Sequence, residues 1–357
     1  MRIFTDICVY MNTDIYTFKL ALEWAMINKL SQIDRFDGEW KTIEKREGYS
    51  LSQLKSIATV RSVGASTRIE GSKISNEEVE ILINNLNISK LIERDQQEVA
   101  GYFETLEIIT DSFENIQISE SDIKNLHNIL MKHTVKDGWH KGEYKQHANI
   151  VEATNFDGSK SVIFQTTSPG IETEDSMRNL IEWYHTENTI HPIIKIALFN
   201  YEFLSIHPFQ DGNGRLSRLL ATLLLLKSGY SWIHYISFEH EIENRKAEYY
   251  STLMKCQRQR PGEDILPWVY FFLDCINSIQ KLLIEKLKSS GTNPELTKAE
   301  NRVFNFIDSH PSCRSSEIAE GIDIPLPTIK KLLGTMVDKS LLIKKGIGKG
   351  TCYFINE

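Results

Sequence analysis

A chain of 357 residues with 41% hydrophobic and 25% charged side chains has the make-up of an ordinary globular protein of two or three domains. Its net charge of −7 sets global electrostatics against nucleic acid as a partner; no apolar run reaches membrane-spanning length, and Asp6 and Asp14 interrupt any signal-like core near the start. Five cysteines (Cys8, Cys256, Cys275, Cys313, Cys352) are scattered without a C-x-x-C, which points to reduced thiols in a cytoplasmic protein and away from disulfides or zinc.

Residues 1 to about 110 read as helical segments, and we assign 1–118 to an N-terminal helical region. Within it Leu51, Leu54, Ile57, Ala58 and Val63 recur at a helical period. Gly71 is the expected stop of that helix, and Ser66 and Glu70 lie four apart on one of its faces. A core domain follows over 119–288, opening with the amphipathic helix begun by Ser121-Asp-Ile-Lys-Asn-Leu-His127. Inside it, Asn155-Phe-Asp157-Gly158 before the β-type run Val162-Ile-Phe-Gln-Thr166 is a hairpin signal. The stretch His191 to Ile206 is largely apolar, and Leu216 to Lys227 is apolar almost all round with Gly229 as a left-handed stop. Both read as buried helices. Residues 289–296 are a turn-rich linker, and 297–357 form a small separate domain.

Between the two buried helices lies His207-Pro-Phe-Gln-Asp-Gly-Asn-Gly-Arg-Leu-Ser-Arg218. Gly212 and Gly214 have no β-carbon, so consecutive N–H groups there can close on an anion. The next helix starts near Arg215 and adds its positive dipole end. Arg215 and Arg218, three apart on neighbouring faces of the first turn, supply two fork-shaped donors for phosphates. Asp211 stands too near such an anion unless a cation lies between them, which makes it a Mg²⁺ ligand. His207 is the group here that accepts a proton near neutral pH.

This string resembles the signature of the Fic family, H-P-F-x-[D/E]-G-N-G-R-x-x-R, at every defined position. The resemblance implies a mostly α fold: a Fic-type helical core with a β-hairpin flap, here followed by a small C-terminal winged helix-turn-helix. It also implies a protein adenylyltransferase that moves AMP from ATP, with Mg²⁺, onto a Tyr, Thr or Ser hydroxyl of a protein. In that reading His207 is the base, Asp211 holds the metal, and Gly212, Asn213, Gly214, Arg215, Leu216, Ser217 and Arg218 bind nucleotide. Arg215 would meet the γ-phosphate and Arg218 the β-phosphate. Tyr249 and Tyr250 resemble a family tyrosine pair near the adenosine. Ser66-Thr-Arg-Ile-Glu70-Gly71 resembles the family's inhibitory motif [S/T]-x-x-x-E-[G/N], so Glu70 is expected to pair with Arg215 and hold the enzyme back. Gly142-Glu-Tyr-Lys145 resembles the family segment G-x-[Y/F]-R with lysine in place of arginine. The hairpin is expected to align the target segment as an added strand.

The C-terminal domain opens with the capping box Thr297-Lys-Ala-Glu300. Two further helices begin at Ser315 and Pro327, and a Gly-turned hairpin closes it from Leu341, an order that resembles a winged helix. Nine Lys or Arg against seven Asp or Glu over 297–357 leave a net of +2, too little for a phosphate-reading stripe. We therefore favour protein docking or homodimer support over DNA. The expected partners are a protein substrate, the chain itself included, and a second copy, with no membrane. Two alternatives stay open: a Fic enzyme that removes AMP or transfers another phosphate-containing group, and a nucleotide-sensing DNA-binding regulator.

Overall fold

The computed structural model describes residues 8–12, 17–21, 23–46, 48–86, 91–134, 139–154, 160–290, 297–310, 312–339, 341–346 and 348–355. Two compact units emerge, Met1–Trp40 with Lys55–Gln280, and Lys41–Leu54 with Lys281–Glu357. The hairpin turn at Asn155 to Gly158 and most of the expected linker, 291–296, lie outside the described residues.

The chain opens with a hairpin, β1 (Cys8–Asn12) paired antiparallel with β2 (Thr17–Ala21). This departs from the helical expectation for the N-terminal region. Val9 and Tyr10 on one strand and Thr17 and Phe18 on the other are strand formers, and the polar residues between them favour a turn. Four helices follow: α1 (Trp24–Arg46), α2 (Gly48–Ile69), α3 (Asn76–Asn84) and α4 (Arg94–Ser112). α2 stops where Gly71 takes a φ of 110°, a conformation that costs glycine little. Then come α5 (Glu120–Leu130), capped by Ser119, and the hairpin β3 (Ile150–Thr154) and β4 (Lys160–Gln165), whose register shifts between Val151 and Glu152.

α6 (Ile171–Thr186) leads into the pair that carries the loop, α7 (Pro192–Ile206) and α8 (Asn213–Lys227). α7 begins with Pro192 at its first position under a His191 cap, where a missing N–H costs nothing. From Ile193 on every α7 residue but Lys195 is buried, and α8 is nearly as enclosed. Helices apolar on all faces have nowhere else to go. They are cross-tied by Asn200 Nδ2, which donates to the Ser217 carbonyl at 2.7 Å. α8 ends at Lys227, and Gly229 follows with a φ of 90°. α9 (Phe238–Asn244), α10 (Lys246–Gln257) and α11 (Leu266–Ser290) complete the helices before the linker.

The second unit contains α12 (Lys298–Ser309), α13 (Ser315–Gly321), α14 (Leu326–Asp338) and an antiparallel hairpin of β5 (Leu342–Lys345) and β6 (Cys352–Ile355). Thr297 and Glu300 form the expected capping box, each side chain taking the other's backbone N–H. Val303, Ile307, Ile318, Ile329, Leu333, Met336 and Leu342 make its core.

α4 and α5 touch backbone to backbone. A β-carbon on Gly101 would sit 2.0 Å from the Leu130 carbonyl oxygen, far inside contact distance. Gly101→Ala therefore forces the helices apart, and thermal unfolding of the variant should show a loss of about 1–3 kcal/mol.

Candidate functional site

The turn between α7 and α8 is held by side chains from three directions. His207 closes α7 in the left-handed region, φ 53° and ψ 60°, a conformation that strains any residue with a β-carbon. Phe209 is fully buried and stacks on His127 of α5, centroids 3.8 Å apart and planes 9° apart. The Gly142 N–H donates to His127 Nδ1 at 3.0 Å, so the ring carries its proton on Nε2 and donates to the Asp211 carbonyl at 3.0 Å. Burial holds His127 down to about 4, so the ring stays neutral and keeps that tautomer. Asn213 is also committed: its Oδ1 accepts from the Phe209 N–H at 2.8 Å and its Nδ2 donates to the Phe209 carbonyl at 2.7 Å. Its side chain staples the loop, while the residue also lines the cavity described below.

A cavity of about 260 Å³ opens beside this turn, lined by His207, Asp211, Gly212, Gly214, Arg215 and Arg218, with Glu70, Tyr249 and Tyr250 on other walls. Nearly all the sequence-selected side chains are thereby gathered. Ser66, which reaches Arg218 from behind the cavity wall, is one exception, and Leu216 and Ser217 are the others. Both are fully buried and neither lines the cavity, because α8 turns them toward its packed faces; the Ser217 hydroxyl donates to the Gly214 carbonyl at 2.8 Å. Asn149, Leu204, Gln210 and Leu253 line it as well. Leu204 and Gln210 come with the His207 loop itself, whereas Asn149 and Leu253 are brought in by tertiary packing.

The expected pairing of Glu70 with Arg215 is not the one observed. Glu70 Oε1 lies 2.7 Å from Arg218 Nη2. Arg218 also donates from Nε to the Ser66 hydroxyl at 2.9 Å and from Nη2 to the Ser66 carbonyl at 3.0 Å. One turn of α2 thus supplies three acceptors to one guanidinium. Arg215 instead faces α4 and its own loop, with Nη1 3.4 Å from Glu98 Oε1 and Nη2 3.4 Å from Asp211 Oδ1. The reason is geometric: three residues along a helix leave the two side chains about 60° apart, enough for Arg218 to meet the end of α2 while Arg215 meets α4. Gly214 permits the close approach, since a β-carbon there would stand 2.3 Å from Glu70 Oε1.

Both arginines are buried, 2% and 1% exposed, yet not fully satisfied. Arg215 Nε, Arg215 Nη1 and Arg218 Nη1 have no hydrogen-bond partner among the described residues. Buried donors are almost always paired; here Arg215 Nη1 has only the long ion-pair contact to Glu98, and both side chains line the cavity. Asp211 contributes the opposite charge. Burial alone would push it up, but Arg215, the Gly212 N–H and Arg94 hold its carboxyl below the ordinary range. Its Oδ2 lies 3.0 Å from Arg94 Nη2, a cationic partner that sequence reading missed, as it missed Glu98; both belong to α4, far from either motif.

His207 lines the cavity half-buried. Desolvation first, and the nearby Lys145 cation second, push its imidazole down to about 4. The ring is therefore neutral over the physiological range. Its Nδ1 sits 3.4 Å from the Leu204 carbonyl, which assigns the proton to Nδ1 and leaves Nε2 as the basic atom. Tyr249 is buried, with its hydroxyl held up to about 12 by desolvation, and its ring packs at 5.1 Å against that of Tyr250.

With this geometry in hand, comparison with known proteins is direct. A family model for the Fic/DOC family matches residues 117–225. The match spans α5, the hairpin and the loop between α7 and α8. Among curated relatives, the protein adenylyltransferase fic-1 of Caenorhabditis elegans is 27% identical over 263 residues, covering 71% of this chain and 45% of that protein. The protein adenylyltransferase Fic of Drosophila melanogaster is 27% identical over 251 residues, 69% of this chain and 46% of that protein. The chain thus spans less than half the length of these curated relatives. Among solved structures, a Fic family protein from Desulfovibrio desulfuricans G20 superposes with a TM-score of 0.66 at 22% identity, covering 95% of this chain and 98% of that one. A Fic domain containing signaling protein from Bacteroides thetaiotaomicron gives 0.59 at 25% identity, over 72% and 97%. The helical Fic fold is therefore shared. No helix among the described residues is long and apolar enough to cross a membrane.

The His207 environment yields a direct check. In the nucleotide-free chain, an NMR titration of the His207 ring protons should show a midpoint near 4, whereas an exposed histidine titrates near 6.5.

Proposed function

We propose that the chain is a protein adenylyltransferase that transfers AMP from ATP to a hydroxyl of a protein, and that Glu70 restrains it through Arg218. The observation that carries this reading is a pair of buried arginines lining one cavity, Arg215 and Arg218, whose guanidinium donors are incompletely hydrogen-bonded, beside a histidine kept neutral. Adenylyltransferase relatives support the choice of ATP and of a protein substrate.

In this reading the orphan donors of Arg215 and Arg218, with the backbone at Gly212 and Gly214 on the positive end of α8, receive the phosphates. Tyr249, Tyr250 and Leu253 form the apolar wall that suits a nucleoside ring. Asp211 fits a magnesium ligand. It is one carboxylate beside the phosphate-facing arginines, and such a cation completes its shell from phosphate and water oxygens. When bound, that cation would neutralise charge on the departing phosphates. Arg94 now holds the same carboxylate and would have to yield it. His207 Nε2 takes the proton of the target hydroxyl as its oxygen forms a bond to the α-phosphorus. The bond from that phosphorus to the bridging oxygen breaks, and pyrophosphate leaves. The protein's contribution is mostly orientation and charge stabilisation.

Glu70 opposes this by occupying Arg218. The cavity, at about 260 Å³, is below the usual size for a ligand of this class, and Glu70 is one of its walls.

The test uses ATP labelled on the α-phosphate. Glu70→Gly should raise incorporation into protein by about tenfold or more, the scale expected when one charge-assisted contact is released. Label on the γ-phosphate should not transfer. Adding His207→Ala to that background should lower incorporation by about 10² to 10⁴, with ATP binding kept. Transfer of γ-label would establish phosphoryl transfer instead. Equal incorporation with and without Glu70, together with loss of AMP from a modified protein only when Glu70 is present, would favour AMP removal.

A further inference from the structure

Lys145 is 2% exposed, and no carboxylate is within ion-pairing distance of it among the described residues. Its ammonium donates to the Asn149 Oδ1 at 3.1 Å, the Thr166 hydroxyl at 2.9 Å and the Ile206 carbonyl at 3.0 Å. An ammonium has three N–H groups, and all three are spent on neutral oxygens. Burial pushes it down to about 8, with Glu172 acting weakly the other way. A buried cation without a counterion is a costly device, so its placement calls for an explanation beyond packing.

The acceptors supply one. Asn149 is the residue before β3, and Thr166 is the residue after β4. The third acceptor is the peptide carbonyl immediately before His207. The backbone N–H of Lys145 also donates to the carbonyl of Pro208 at 2.8 Å, the residue immediately after His207. One residue therefore grips both sides of the left-handed histidine and both feet of the hairpin. The surroundings reinforce the same joint: Asn149 Nδ2 donates to the Phe209 carbonyl at 2.8 Å, and the Thr167 hydroxyl donates to the Ile206 carbonyl at 2.9 Å.

We propose that Lys145 is a positioning residue whose buried ammonium locks the hairpin β3–β4 and the His207 turn into a single unit, setting where an extended protein segment lying along the hairpin presents its hydroxyl to His207. A two-stranded hairpin leaves unpaired backbone on each strand, and an extended segment pairs with such an edge. A small rotation of the hairpin relative to the turn would carry that hydroxyl out of reach. Lys145 touches neither nucleotide-facing arginine in any observed contact, so its effect falls on the target step. The inference rests on the AMP-transfer reading of the cavity.

The test is made in full-length Glu70→Gly chains with two readouts. The first is automodification from α-labelled ATP at saturating concentration. Lys145→Met should lower it on the order of tenfold to a hundredfold, the range that misplacement of about 1 Å produces, while the calorimetric Kd for ATP stays within about twofold. Lys145→Arg, which keeps the charge and the donors, should restore most of the rate. The second readout is the NMR titration of His207, which does not depend on activity. Losing the adjacent cation removes a term that disfavours protonation, so the midpoint should rise in Lys145→Met and stay put in Lys145→Arg. Should Glu70→Gly itself incorporate no label, the AMP-transfer reading fails, and the titration still decides whether Lys145 governs His207. Should Lys145→Met not fold, Thr166→Val, which unties one foot and leaves the charge, must slow automodification without moving the His207 midpoint. Unchanged automodification in Lys145→Met or in Thr166→Val, or a loss of ATP affinity as large as the loss of rate, would overturn the proposal.

Discussion

The state of the cavity depends on which way one buried guanidinium points. Arg218 emerges from a helix packed on every side, so it cannot relax into water, and it must find acceptors inside the protein. Ser66 gives two oxygens and Glu70 a third, while Arg218 Nη1 is buried without a hydrogen bond among the described residues. That division gives the site two competing arrangements. Either the end of α2 satisfies the arginine, or an anion in the cavity does. A carboxylate and a phosphate are close chemical substitutes for a planar fork of donors, so the competition is between like and like.

Other parts of the unit keep that competition confined to Arg218. The neutral His127 ring, sandwiched between a backbone donor and a backbone acceptor, fixes the loop from α5. Asn213 staples it from α8. Lys145 holds it from the hairpin side. Arg215 is steadied by Glu98 and Asp211. With the loop pinned at these points, the contact that can exchange with the least rearrangement is the one to Glu70, whose side chain is about one-third exposed. Glu70 stands one residue past the end of α2, and Gly71 follows it in the left-handed region.

Much of this was legible in the sequence because a loop between two apolar helices leaves little doubt about its own residues. The histidine, the carboxylate, the glycines and both arginines meet at one cavity as their spacing suggests. The inhibitory partner was misassigned because i and i+3 positions share a neighbourhood but not a direction, and only the placement of α2 and α4 around α8 decides which arginine each acid meets. Asn213 shows a second limit, since an amide side chain serves as well for holding a loop as for holding a ligand. Leu216 and Ser217 belong to the motif's spacing but to the core's packing. Asn149 carries no local signal for the cavity it lines, nor do Glu98 and Arg94 for the loop residues Arg215 and Asp211 that they meet, all three being brought there over long stretches of chain. At the N-terminus, the helical reading failed on Cys8–Asn12 and Thr17–Ala21, which are rich in strand formers and pair as strands.

The central claim, that Glu70 and an anion compete for Arg218, is tested most directly by a double-mutant cycle on ATP affinity. Calorimetry on the parent chain, Glu70→Gly, Arg218→Ala and the double variant separates this competition from any general loosening of the helix end. The account predicts that Glu70→Gly tightens ATP binding by about tenfold when Arg218 is present and leaves it unchanged when Arg218 is alanine. Equal tightening in both backgrounds would contradict it, because Glu70 would then be excluding ATP by bulk or by charge and not by holding the arginine.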